Sequence, residues 1–123
     1  MRIDTIRIPC KDLVQSEQFY VQQMGWQKTF GSAEEGFIGL QLESVTILLE
    51  PEDAGEFEAG RYLGFSLAVD DLMDCYHKLQ AQDVVFIGTP ETQEWGGMMA
   101  HVQDCNGNSF SLVQHLRSDK SEP

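Results

Sequence analysis

Two dipeptides set the architecture of this chain. Asp12-Leu13 and Asp71-Leu72, 59 residues apart (71 − 12), each follow a strand-like apolar run and open a helical one. A short acid before the first apolar helical residue is a natural N-cap, so the two helices begin at equivalent points. The flanking pattern repeats as well. Arg2 to Pro9 reads as a strand, and Pro9 belongs at a strand end or edge. Leu13, Phe19, Tyr20 and Met24 make an apolar stripe, Gly25 is placed to end the helix, and Trp26 begins the next strand. Phe37–Leu42 and Val45–Glu50 then form a hairpin turning at Glu43-Ser44. In the second half Tyr62 to Val69 is a strand, Leu72 to Leu79 a helix and Val84 to Gly88 a strand. A loop with Pro90 and Trp95 leads into a last hairpin. The order strand, helix, strand, strand, strand is therefore given twice. Offset 59 also pairs Ile8 with Leu67 and Gln23 with Gln82, whereas Ile47-Leu48-Leu49 matches Ser111-Leu112-Val113 at 64 (111 − 47).

The last hairpin carries the clearest turn. Asp104 can bond its own following backbone, and Asn106-Gly107 accepts positive φ. Alternation puts Met99, His101 and Gln103 on one face of the incoming strand and Ser109, Ser111 and Val113 on one face of the outgoing strand. A hydroxyl in mid-strand beside a histidine is not simply core filling and suggests the lining of a wet cavity.

Charge limits the partners. Eight Lys and Arg against 20 Asp and Glu leave a net −12, so nucleic acid and anionic membrane are excluded by repulsion, while a neutral or cationic small molecule is compatible. No apolar run nears the ~20 residues that span a bilayer. The beginning of the chain reads into a strand rather than a signal peptide, and a cytoplasmic location is expected. Cys10, Cys75 and Cys105 have no C-x-x-C spacing and are read as plain thiols.

These motifs resemble those of the vicinal oxygen chelate superfamily, which holds glyoxalase I, extradiol dioxygenases, and fosfomycin and bleomycin resistance proteins. The resemblance rests on Asp12-Leu13…Phe19-Tyr20…Met24-Gly25, on Leu67-Ala68-Val69-Asp70-Asp71-Leu72, and on Trp95-Gly96 followed by Asp104-Cys105-Asn106-Gly107-Asn108. It implies an α+β fold of two tandem βαβββ modules, forming a curled mixed sheet around a central cavity. The expected division is module one at 1–51, a linker at 52–61 that is rich in Glu and Gly and expected to be mobile, module two at 62–116, and a tail at 117–123. The resemblance also implies pairing, or swapping of modules, as a homodimer.

Metal-dependent members hold a divalent ion with His or Glu on the first and last strands of each module. Carried onto this chain those positions are Thr5, Gly64, Ile47 and Ser111, none of them a strong ligand. Glu50, as a displaced ligand, would lie on the strand face opposite Ile47. No metal and no cofactor are therefore expected, nor metal-dependent enzymes' chemistry of the superfamily's usual kind. The expected function is metal-free binding of a small molecule, as in the bleomycin resistance proteins. The alternative is a glyoxalase- or dioxygenase-like lyase or oxidoreductase with a displaced metal site. The expected ligand-binding residues are Thr5, Arg7, Ile47, Gly64, Ser66, Trp95, His101 and Ser111, with Leu49 beside Ile47, room left by Ala68, and aromatic surface from Tyr62 and Phe65. Arg7 meets either a ligand anion or a protein acid. His101 is either a hydrogen-bonding or general-base residue beside Ser111 or a core ring with one nitrogen tied up, the latter being the default because no carboxylate orients it. His77 and His115 are read as surface or structural residues.

Overall fold

The computed structural model describes residues 1–116; the expected tail at 117–123 lies outside the described residues. The first module runs β1 (Thr5–Cys10), α1 (Leu13–Glu17) continuing as a π-helical turn (Gln18–Gln23), β2 (Gln27–Ser32), β3 (Phe37–Leu42) and β4 (Val45–Pro51). The second runs β5 (Tyr62–Ala68), α2 (Leu72–Gln80), the two-residue strands β6 (Val85–Phe86) and β7 (Glu91–Thr92), β8 (Met98–Gln103) and β9 (Ser109–Gln114). The duplicated order is thus present. Each module makes one sheet, β1-β4-β3-β2 and β5-β9-β8-β6, with β7 also on β8; β1/β4 and β5/β9 are parallel and the hairpins antiparallel.

The caps act as their sequence dictates. The Asp12 carboxylate accepts from the Gln15 N–H and Asp71 from the Asp74 N–H, both at 3.0 Å, each satisfying an amide the helix cannot. Leu72, Tyr76 and Leu79 follow at helical spacing and are buried. The first helix widens where Phe19 and Tyr20 enter the core, Met24 N–H reaching back to Phe19 O, and Gly25 turns the chain at φ +80°.

Alternation gives each sheet an inner and an outer face. Ile8, Ile38, Leu40, Ile47 and Leu49 line the inner face of sheet one, and Ala100, Val102, Phe110 and Leu112 that of sheet two; all join one core with Phe19, Tyr20 and Trp26. Tyr20 and Trp26 lie within 4.9 Å, and Phe65 stacks on Phe110 at 5.2 Å. Each large apolar side chain so buried contributes about 1.5–3 kcal/mol. Because the inner faces share a core, the outer faces point away from it. No described helix is long and apolar enough to cross a membrane.

A buried polar knot in the β8–β9 turn ties the modules together. Asp104 Oδ1 accepts from the N–H groups of Asn106 and Asn108, and its Oδ2 from the Tyr20 hydroxyl at 2.6 Å. Asn108 donates to Pro9 O (2.9 Å) and accepts from Gly60 N–H, while Asn106 accepts from Lys11 N–H and donates to Ser16 Oγ. In this parallel pairing the Pro9 carbonyl points to the free edge of β1, so Asn108 supplies the partner that a neighbouring strand would. Burial pushes the nearby Cys10 thiol up to about 12, and burial, then the Asp104 charge, holds the Tyr20 hydroxyl well above its ordinary value. All three cysteines are free. The linker folds back on itself through an Asp53–Phe57 bridge.

Candidate functional site

The outer face of sheet two gathers the most polar chemistry. His101 pairs with Ser111 across β8 and β9, as alternation predicts, and Nδ1 of the imidazole lies 2.9 Å from Ser111 Oγ. Tyr62 Oη reaches the same hydroxyl at 3.4 Å. Ser111 is fully buried beneath two exposed neighbours. His101 is therefore not a core ring: it stands at the surface, oriented by a hydroxyl. Tyr62 gets there through a bulge, since Tyr62 pairs with Ser109 and Ser66 with Ser111, leaving three β5 residues opposite one β9 residue. Gly64 absorbs that irregularity at φ +82°, and a Cβ there would meet nothing within 4 Å. Gly64 thus serves the backbone of the site. Trp95 lies at the far end of this strand pair, its ring over Gly97 and 5.8 Å from the His115 ring.

Thr5 and Arg7 are on the outer face of sheet one. Arg7 is not free for an anion: its Nε pairs with Glu50 Oε1, and its guanidinium lies 4.3 Å above the Phe57 ring. The register differs from the expected one. Arg7 pairs with Leu48 and Ser66 with Ser111, so the last strands correspond at 63 (111 − 48) rather than 64. Leu48 is the outer-face counterpart of Ser111, while Ile47 (1% exposed) and Leu49 (0%) point into the core. Glu50 is indeed opposite Ile47, and that puts it on the outer face. Phe30 and Phe37 also stand there, ring centroids 6.1 Å apart; the Phe30 ring occupies the space a side chain at Gly39 would need.

Between the modules the core leaves clefts. One of about 260 Å³ is bordered by Ile6, Ile47, Phe65, Ser66 and Leu67, and one of about 560 Å³ by Trp26, Ser66, Ala68 and Leu112. The expected ligand-binding residues thus divide three ways. Ile47 borders a seam cleft, Thr5 and Arg7 lie outside sheet one, and Trp95, His101 and Ser111 lie outside sheet two. Ser66, on the free edge strand, adjoins both the seam and Ser111.

In the corrected register the strand positions at which the metal-dependent relatives carry donors hold Thr5, Leu48, Gly64 and Ser111. Two hydroxyls, an alkyl group and no side chain do not make a set for a divalent ion, which requires imidazole, carboxylate or thiolate. Glu50 is committed to Arg7. Among the described residues no three His, Cys, Asp or Glu side chains converge. The residues do not fit the superfamily's metal.

A family model described as the Glyoxalase/Bleomycin resistance protein/Dioxygenase superfamily matches residues 2–112. Among solved structures, a member of that superfamily from Sphaerobacter thermophilus DSM 20745 superposes with a TM-score of 0.82 at 25% identity, over 94% of this chain and 98% of that one. TnmS3, an antibiotic binding protein from Streptomyces sp. CB03234, gives 0.80 at 21% identity, over 94% and 97%. Lactoylglutathione lyase from Agrobacterium tumefaciens gives 0.75 at 16%, over 92% of each chain. The comparison with curated proteins finds no match.

Proposed function

Since this chain belongs to the Glyoxalase/Bleomycin resistance protein/Dioxygenase superfamily but has no metal donors at the strand positions its metal-dependent relatives use, we propose that it binds a small organic molecule without a metal. The observation that carries this reading is the side-chain set at Thr5, Leu48, Gly64 and Ser111. In place of a Lewis acid the site has a hydroxyl–imidazole group on one sheet and a pair of phenyl rings on the other. Aromatic walls with a few fixed polar groups are how ligand pockets are built. The net charge of −12 favours a neutral or cationic molecule. The likeness to an antibiotic binding protein is consistent with this.

The pocket is completed by a second copy. Phe30, Phe37 and Arg7 lie on a face pointing away from the core, and His101, Tyr62 and Ser111 on the other, so one chain cannot close them over one ligand. A two-fold homodimer would set sheet one of each copy against sheet two of its partner.

Thermal shift with aromatic amines and cationic glycopeptide antibiotics, alongside metal analysis of untagged protein, tests the reading. A ligand at a hundred times its Kd should stabilise by ~2.7 kcal/mol. Stoichiometric Zn, Ni, Mn or Fe, or no stabilisation by any ligand class, would overturn it. Sedimentation should give twice the 13.9 kDa chain mass.

A further inference from the structure

We propose that Tyr62, Ser111 and His101 form a directed hydrogen-bond chain that holds His101 as the Nε2–H tautomer, so that this face selects ligands carrying a hydrogen-bond-accepting oxygen. The proposal rests on the ligand-binding reading only for its second half.

Ser111 Oγ has one proton, is fully buried, and reaches two groups, His101 Nδ1 at 2.9 Å and Tyr62 Oη at 3.4 Å. A buried hydroxyl is best satisfied when it donates once and accepts once. Two directions are open to such a chain. If Nδ1 carried the proton, the serine would have to donate across the longer contact to a phenol oxygen, the weaker acceptor. If the serine donates to Nδ1, its proton takes the shorter contact to a basic nitrogen, and the phenol donates into the serine lone pair. Each bond then polarises the next. The geometry favours the second direction.

With Nδ1 accepting, the imidazole proton is on Nε2, at the exposed side of the ring. Among the described residues no group accepts a hydrogen bond from it. Its neighbours on β5, β8 and β9 are Met99, Gln103, Ser66, Ser109 and Val113, all uncharged, and the acid on this face, Glu91, lies across from Met99 and makes no hydrogen bond to the ring. A lone N–H donor fits a ketone, ester or amide oxygen, and offers an ammonium or a hydrocarbon no partner at that atom.

The test uses the intact protein with 15N-labelled histidine at pH 8.5, where an ordinary imidazole is neutral. Long-range 1H–15N spectra should show His101 as Nε2–H, and Ser111→Ala should release it to a mixture. Tyr62→Phe, at an exposed position, should shift the His101 signals without releasing the tautomer. Acetophenone should then perturb the His101 signals with about tenfold higher affinity than ethylbenzene, a ratio one made hydrogen bond accounts for, and the ratio should fall toward one in Ser111→Ala. An Nδ1–H ring in the native protein, or a tautomer indifferent to Ser111→Ala, overturns the chain. A fixed Nε2–H ring that binds both probes alike overturns the selectivity. A fixed ring that meets neither probe refutes this face as the ligand surface, leaving the chain itself established.

Discussion

Replacing Asn108 by Ala removes the side chain through which the second module grips both the first module and the linker. Asn108 is fully buried. Its amide donates to Pro9 O at 2.9 Å and Asp104 Oδ2 at 3.1 Å, and its carbonyl accepts from Gly60 N–H at 2.9 Å and Arg61 N–H at 3.3 Å. Gly60 and Arg61 are exposed, so water can take over those two amides. Pro9 is buried and its carbonyl has no ladder partner, so it bears the full cost of a stranded acceptor, about 1–3 kcal/mol. The vacated volume, beneath a close-packed turn, adds about 1 kcal/mol. The expected loss is therefore about 3 kcal/mol. Urea unfolding followed by circular dichroism, at one fixed protein concentration, should show a lowered midpoint with an unchanged slope. Tyr20→Phe is the graded companion: it keeps the ring in the core and leaves Asp104 the two asparagine amides, so about 1–2 kcal/mol should be lost. An Asn108→Ala protein within 0.5 kcal/mol of the native one, a surface-like effect, would refute the idea that the knot holds the modules together.

Alkaline pH should weaken the fold. The Cys10 thiol rises from 9.0 to about 12 in the folded state, so the folded form keeps its proton where the unfolded form loses it. That contribution is complete below pH 9 and is lost between pH 9 and 12; the urea midpoint should fall over this range, and less steeply in Cys10→Ala. Gly64→Ala should cost about 1–2 kcal/mol from backbone strain alone, since its Cβ meets open space at φ +82°; an unchanged melting temperature would argue against the bulge. Gly39→Ala should evict the Phe30 ring and weaken binding of aromatic ligands in a calorimetric titration, with a native-like affinity as the contrary result.

Much of this architecture is legible in the sequence because its signals are local. The two aspartate caps, the hairpin at Glu43-Ser44 and the facing of His101 and Ser111 each follow from a few neighbouring residues and a fixed period. What escaped was non-local. Matching Ile47 to Ser111 failed by one residue because the apolar run Ile47-Leu48-Leu49 carries no local mark of which member faces out, and a one-residue slip turns every side chain over; the β5 bulge is a second departure from the pattern. Gly64 inside a strand was the available sign of that bulge, but it reads equally as room for a ligand. Tyr62, anticipated only as aromatic surface, becomes a hydrogen-bond partner for the same reason. Phe30 over Gly39 was missed because the two are adjacent only across a strand pair. The widened turn that brings Tyr20 to Asp104 has no short-range signature, whereas the polar knot itself was half visible in the Asp104 turn.

The opposed outer faces also carry a genetic consequence. If a pocket takes one face from each of two copies, a chain damaged at Phe30 and a chain damaged at His101 are each inactive alone, yet complement one another when mixed. A mixed pair gathers both lesions into one pocket and leaves its second pocket wild type. Random pairing of equal amounts then restores about a quarter of the pockets, the arithmetic of two-fold exchange. By the same count, an equal mixture of the unaltered chain with one carrying a lesion on a single face keeps about half of its pockets, because each mixed pair retains one.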